Sequence, residues 1–152
     1  MTSDSIERPI KPSVQLGPGL QATLVFFVLG FPVGQLVIAG ILAFDGGTAP
    51  PFTTLSEWTP FLGTMAGVGA VAGLCWYASE SMPPGFLKYT LRNSISVCAL
   101  AGSFEAAAFR VEPLAKWLRV LMFTALVVGA IFGLVQTVLA RLVQRWTRSA
   151  AA

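Results

Sequence analysis

The sequence predicts an all-α, polytopic membrane protein with four transmembrane helices joined by short loops. Three observations predict it. The 152 residues are 55% hydrophobic and only 11% charged, against about 25% charged in an average soluble domain. The mean hydropathy is +0.72, which is more apolar surface than so short a chain can hide from water by folding on itself. Finally, long apolar runs recur along the chain, each close to the roughly 20 residues that a helix needs to cross a hydrocarbon core.

Residues 1–18 read as a polar, irregular tail with Pro9, Pro12 and Pro18. No short apolar core with a small-residue cleavage site precedes the first long run, so a signal peptide is not expected. Asp4 and Glu7 speak against a transit peptide, which is rich in arginine and poor in acids. The membrane domain is expected over residues 19–146, with spans at about 20–44, 60–78, 91–109 and 117–143, and a C-terminal tail over 147–152. Pro32 lies mid-way in the first span and should kink it, because proline removes the bond to the carbonyl near Val28.

Residues 45–60 are dense in turn chemistry and read as a loop. Trp58 near its end suits a membrane interface, as do Trp76 and Tyr77 at the far end of the second span. The third span is the most polar, with Arg92, Asn93, Ser94, Ser96, Ser103 and Glu105. It can cross only if that polar side faces other protein. The alternative is three spans, with residues 91–109 on the membrane surface. Trp117 and Trp146 bracket the last span as further interface anchors. Arg141, Arg145 and Arg148 recur on one helix face as it leaves the bilayer.

The positive residues give an orientation. With four spans, Arg8, Lys11, Lys88, Arg92, Arg141, Arg145 and Arg148 share one side, and Arg110, Lys116 and Arg119 the other. In a bacterial membrane this puts both termini in the cytoplasm. The net charge of +3 carries no basic run, so a nucleic-acid partner is not expected; the partner of these residues is the lipid bilayer.

One phrase is written twice. Residues 68–74 read VGAVAGL and residues 128–134 read VGAIFGL. Gly69 with Gly73, and Gly129 with Gly133, each place two glycines on one helix face. Gly63 with Gly67 and Gly30 with Gly34 repeat the spacing. Lipid tails are as apolar as leucine, so helices in lipid associate by close packing, which small residues permit. The second and last spans are therefore expected to pack through these faces, on each other or on a partner subunit.

Chemistry-bearing groups are scarce. The chain has no histidine, which removes the commonest general base and metal ligand. Cys75 and Cys98 lie apart in apolar runs, in no metal-binding spacing. They read as small buried hydrophobes, with a disulfide between neighbouring helices as the alternative. No catalytic, cofactor-binding or metal-binding set is expected, and the chain does not read as an enzyme. Glu105 is the one acid inside an expected span. It must be protonated, paired or hydrated there, and Arg110 is the expected partner by snorkelling. A proton or cation relay through Glu105 is the functional alternative.

The stretch from Pro50 to Leu91 is similar to one family. Pro50-Pro51 opens a loop, Val68 to Leu74 form a glycine-rich phrase in the second helix, Glu80 to Pro84 give an acidic, proline-containing loop, and Leu87-Lys88-Tyr89-Thr90-Leu91 open the third. In these features the chain resembles the translocase-like, Tim-type four-helix accessory subunit of mitochondrial respiratory complex I. The arginine-then-aspartate signature of import translocases is missing, so protein translocation is not implied. The resemblance implies a non-catalytic subunit of the mitochondrial inner membrane, packed against other subunits of the proton-pumping arm, with structural phospholipid and no other cofactor. A small homo-oligomeric transporter or channel of a bacterial plasma membrane, using Glu105, is the competing expectation.

Overall fold

A computed structural model describes residues 17–45 and 52–150, with side chains described as far as Arg148. Asp4, Glu7, Arg8, Lys11, Pro9, Pro12 and the Pro50-Pro51 pair lie outside the described residues. Those residues form five helices and no strand: α1 (Pro18–Phe44), α2 (Leu55–Glu80), α3 (Phe86–Phe104), α4 (Ala106–Val111) and α5 (Leu114–Ala150).

Three of them, α1, α2 and α5, are long and apolar enough to cross a membrane. The burial pattern agrees with that solvent. Gln35, Ser79, Ser94 and Thr137 are buried, while Phe26, Leu29, Phe123, Ile131 and Phe132 face outward. A water-soluble monomer seldom exposes so continuous an apolar surface. This is the distribution expected when the surroundings are lipid.

Helix boundaries differ from the sequence reading in physically clear ways. The α2 helix starts at Leu55, upstream of Pro60, because Thr54 and Glu57 form a capping box. The Glu57 carboxylate accepts from the amide N–H of Thr53 at 2.8 Å and of Thr54 at 3.3 Å. Trp58 therefore sits in the first turn of α2 and not in a loop. The third helix starts at Phe86 and breaks at Glu105, so residues 91–109 are not one continuous span. The last helix runs from Leu114 to Ala150, beyond both expected ends. At about 1.5 Å per residue it is longer than a hydrocarbon core is thick.

The helices form two antiparallel hairpins, α1 with α2 and α3 with α5. On α2, Gly69 lies beside Phe31 and Phe27, and Gly73 beside Phe27 and Leu24. On α5, Gly129 meets Ser94 and Gly133 meets Thr90. In both hairpins a rising number on one helix pairs with a falling number on the other, which fixes the antiparallel sense. The α3 helix also touches α1 and α2 and joins the hairpins.

Candidate functional site

The two glycine phrases occupy matching places in the two hairpins, yet they do not meet. Each receives a different neighbour. A Cβ at Gly69 would lie 3.0 Å from the Phe27 carbonyl carbon, and one at Gly73 would lie 3.2 Å from the Phe27 Cβ. A Cβ at Gly129 would lie 2.6 Å from the Ser94 amide nitrogen, and one at Gly133 would lie 2.7 Å from that of Thr90. The expectation that the second and last spans pack on each other through these faces is thus corrected: α2 uses its groove for α1, and α5 uses its groove for α3. The Ser94 and Thr90 hydroxyls fill the space that side chains at Gly129 and Gly133 would take. Neither hydroxyl oxygen has a conventional hydrogen-bond partner. Gly63, Gly67, Gly30 and Gly34 behave differently: among the described residues nothing lies within 4 Å of a Cβ built on any of them.

A polar layer holds α1 to α3. Gln35 is 1% exposed. Its amide nitrogen donates to the Ala99 carbonyl, and its amide oxygen accepts from the Ser103 hydroxyl. Gly102 lies in the same layer, against Met65 and Gln35. An amide mid-way along an uncharged apolar run is the available signal for Gln35; Gly102 stands alone, in no four-residue pair. Two further polar side chains of α3 reach other helices. Asn93 donates to Gln136 of α5 at 3.0 Å, and Arg92 donates through Nε to the buried Ser79 hydroxyl of α2 at 3.0 Å.

Glu105 sits at the break between α3 and α4, not within a helix. Its carbonyl accepts from Trp117 Nε1 at 3.0 Å. Its Oε2 is buried with no hydrogen-bond partner among the described residues. Arg110, the partner expected for it, instead pairs with Glu57 at 3.1 Å, tying α4 to the cap of α2.

The aromatic anchors divide. Tyr77 and Trp146 are exposed, and Arg141 and Arg145 with them. Trp117 is not an anchor: it is 1% exposed and packs on Phe61 and Phe109 with ring centroids 6.0 and 5.0 Å apart. Phe52 and Trp58 extend that cluster, which seals one end of the bundle. Trp76 is half-buried beneath the Arg92 guanidinium, 4.6 Å from the ring centroid. Cys75 and Cys98 are both free thiols.

The two ends differ in charge. Lys88, Arg92, Arg141, Arg145 and Arg148 lie toward one end with Glu80. Asp45, Glu57, Glu105 and Glu112 lie toward the other with Arg110, Lys116 and Arg119. No group of histidine, cysteine or acidic side chains among the described residues could hold a metal ion.

No known protein family, curated protein or solved structure matches the chain.

Proposed function

We propose that this protein is a non-catalytic structural subunit of a larger respiratory membrane assembly of the complex I type, in the mitochondrial inner membrane. The carrying observation is the division of its glycines. Four are consumed in closing the chain's own hairpins, while Gly63 and Gly67 leave a small-residue strip on the outer face of α2 with none of the described residues against it. Such a strip lets another helix approach closely. The local likeness of Pro50 to Leu91 to the Tim-type accessory subunit supports the choice of assembly. The polar side of α3 supports a fourth crossing, since Arg92, Asn93 and Ser103 are turned to α2, α5 and α1.

A blue-native gel of the membrane extracted in mild detergent, with mass spectrometry of the band holding this chain, tests the reading. Co-migration with respiratory subunits is the expected result. Migration as a lone 16.1 kDa chain or a small homo-oligomer would overturn it.

A second reading, a small homo-oligomeric transporter or channel in a bacterial plasma membrane, is favoured by one observation: the Glu105 Oε2 is buried without a partner. On that reading Glu105→Gln abolishes ion flux in proteoliposomes, and unchanged flux removes it.

A further inference from the structure

We propose that the groove between α1 and α3 holds one acyl chain of an anionic phospholipid from the bilayer, with the lipid phosphate on Arg92. The groove has a volume of about 930 Å³ and is lined by Phe26, Phe27 and Gly30 of α1, Trp76 of α2, and Ser96 and Leu100 of α3. That volume lies in the range of small-molecule sites, roughly 300–1,000 Å³. Its walls are apolar in effect. Of its two hydroxyls, Thr23 donates to the Gly19 carbonyl and Ser96 to the Arg92 carbonyl, so both are satisfied by their own helices. An apolar space of this size beside lipid forfeits contacts if left empty, and a hydrocarbon chain fits its chemistry.

Arg92 identifies the headgroup. It stands one helical turn before Ser96, on the same face of α3, with its guanidinium over Trp76, which lines the groove. Its guanidinium is fixed by the Trp76 ring and by the Nε bond to Ser79. Its terminal nitrogens have no hydrogen-bond or carboxylate partner among the described residues. A planar fork with two free N–H groups matches a phosphate oxygen pair. Neighbouring Lys88 does not compete for the role: its ammonium donates to the Met82 carbonyl at 3.0 Å. The excess of Lys and Arg at this end favours an anionic over a zwitterionic lipid.

The inference rests on the membrane reading and not on membership of a particular assembly. It is tested on the full chain by native mass spectrometry from micelles doped with equal phosphatidylglycerol and phosphatidylcholine. The wild type is expected to keep one lipid per chain, phosphatidylglycerol over phosphatidylcholine by about fivefold. Arg92→Gln should bring that ratio near one. Gly30→Leu should lose the adduct; because nothing lies within 4 Å of a Cβ there, it fills the groove without disturbing the helices. Circular dichroism checks the fold of both, and if Arg92→Gln fails to fold, Gly30→Leu carries the test. A bare wild-type chain, equal retention of the two lipids, an unchanged preference in Arg92→Gln, an adduct that survives in folded Gly30→Leu, or a second copy in place of lipid each overturns the proposal. Loss of lipid in Gly30→Leu with unchanged blue-native mobility would separate this site from the assembly proposal.

Discussion

Gly129 of α5 lies so close to Ser94 of α3 that a Cβ on the glycine would sit 2.6 Å from the serine amide nitrogen and 2.7 Å from its Cα. Both of those atoms are backbone. Relief therefore requires the helices to part, not a side chain to rotate. Gly133 repeats the relationship with Thr90. The α3–α5 hairpin is thus held by backbone proximity, which two glycines one turn apart make available.

Gly129→Ala should destabilise the protein by about 1–3 kcal/mol, and Gly129→Val by more, as overpacking does in a close-packed interior. Gly63→Ala and Gly67→Ala, where nothing is near, should stay within roughly 0.5 kcal/mol. Unfolding in mixed detergent micelles measures both. Equal losses at Gly129 and Gly63 would contradict the packing described for α3 and α5.

Gln35 closes the other contact of α3. Gln35→Leu roughly keeps the volume but removes the second partner of the Ala99 carbonyl, which keeps its bond within α3, and strands the Ser103 hydroxyl. Interhelical polar contacts in membranes are worth about 0.6 kcal/mol on average, up to about 1.7. A loss of about 1–2 kcal/mol is expected for Gln35→Leu. Much of it should return in Gln35→Leu combined with Ser103→Ala, because the double change removes an orphaned hydroxyl. A double-mutant cycle checks this; strict additivity would mean the pair is not coupled.

What could be read in the sequence, and what could not, follows the range of the interactions. The apolar runs of α1 and α5 are local properties, and they were legible. The glycine spacing within VGAVAGL and VGAIFGL told that a close-packing face exists, but face and partner are separate facts. Which helix fills a groove depends on residues such as Phe27 and Ser94, far away in the chain. Trp117 shows the same limit. Tryptophan suits a membrane interface and an aromatic core equally well, and only the nonlocal placement of Phe61 and Phe109 decides between them. The start of α2 is a local signal: Thr54-Leu55-Ser56-Glu57 spells a capping box, which competes with Pro60 as the helix boundary. A proline in the second turn removes one helical bond, which the box outweighs.

Glu57 should therefore matter through its cap more than through its ion pair. The Arg110 and Glu57 side chains are 53% and 31% exposed, so the pair contributes little. Arg110→Met should shift stability by less than about 0.5 kcal/mol. Glu57→Ala removes the acceptor for the Thr53 and Thr54 amides and should cost about 1 kcal/mol. Hydrogen exchange localises the effect: Glu57→Ala should raise exchange in the first turn of α2, and Arg110→Met should not.

Trp117 gives the largest predicted loss. Its ring meets Phe61 and Phe109, and its indole N–H donates to the Glu105 carbonyl at 3.0 Å, at the one residue where α3 gives way to α4. Trp117→Ala should cost about 3–5 kcal/mol, as truncations of buried aromatics do. Trp117→Phe separates packing from the hydrogen bond. It keeps most of the ring contact and removes one of the two donors to the Glu105 carbonyl, which retains the Phe109 amide at 3.1 Å, for a loss of about 1 kcal/mol. An interface anchor would behave otherwise, since phenylalanine in a lipid-facing position changes stability little. Thermal unfolding of the two variants in the same detergent distinguishes these roles: a small, equal effect of both would return Trp117 to the membrane interface.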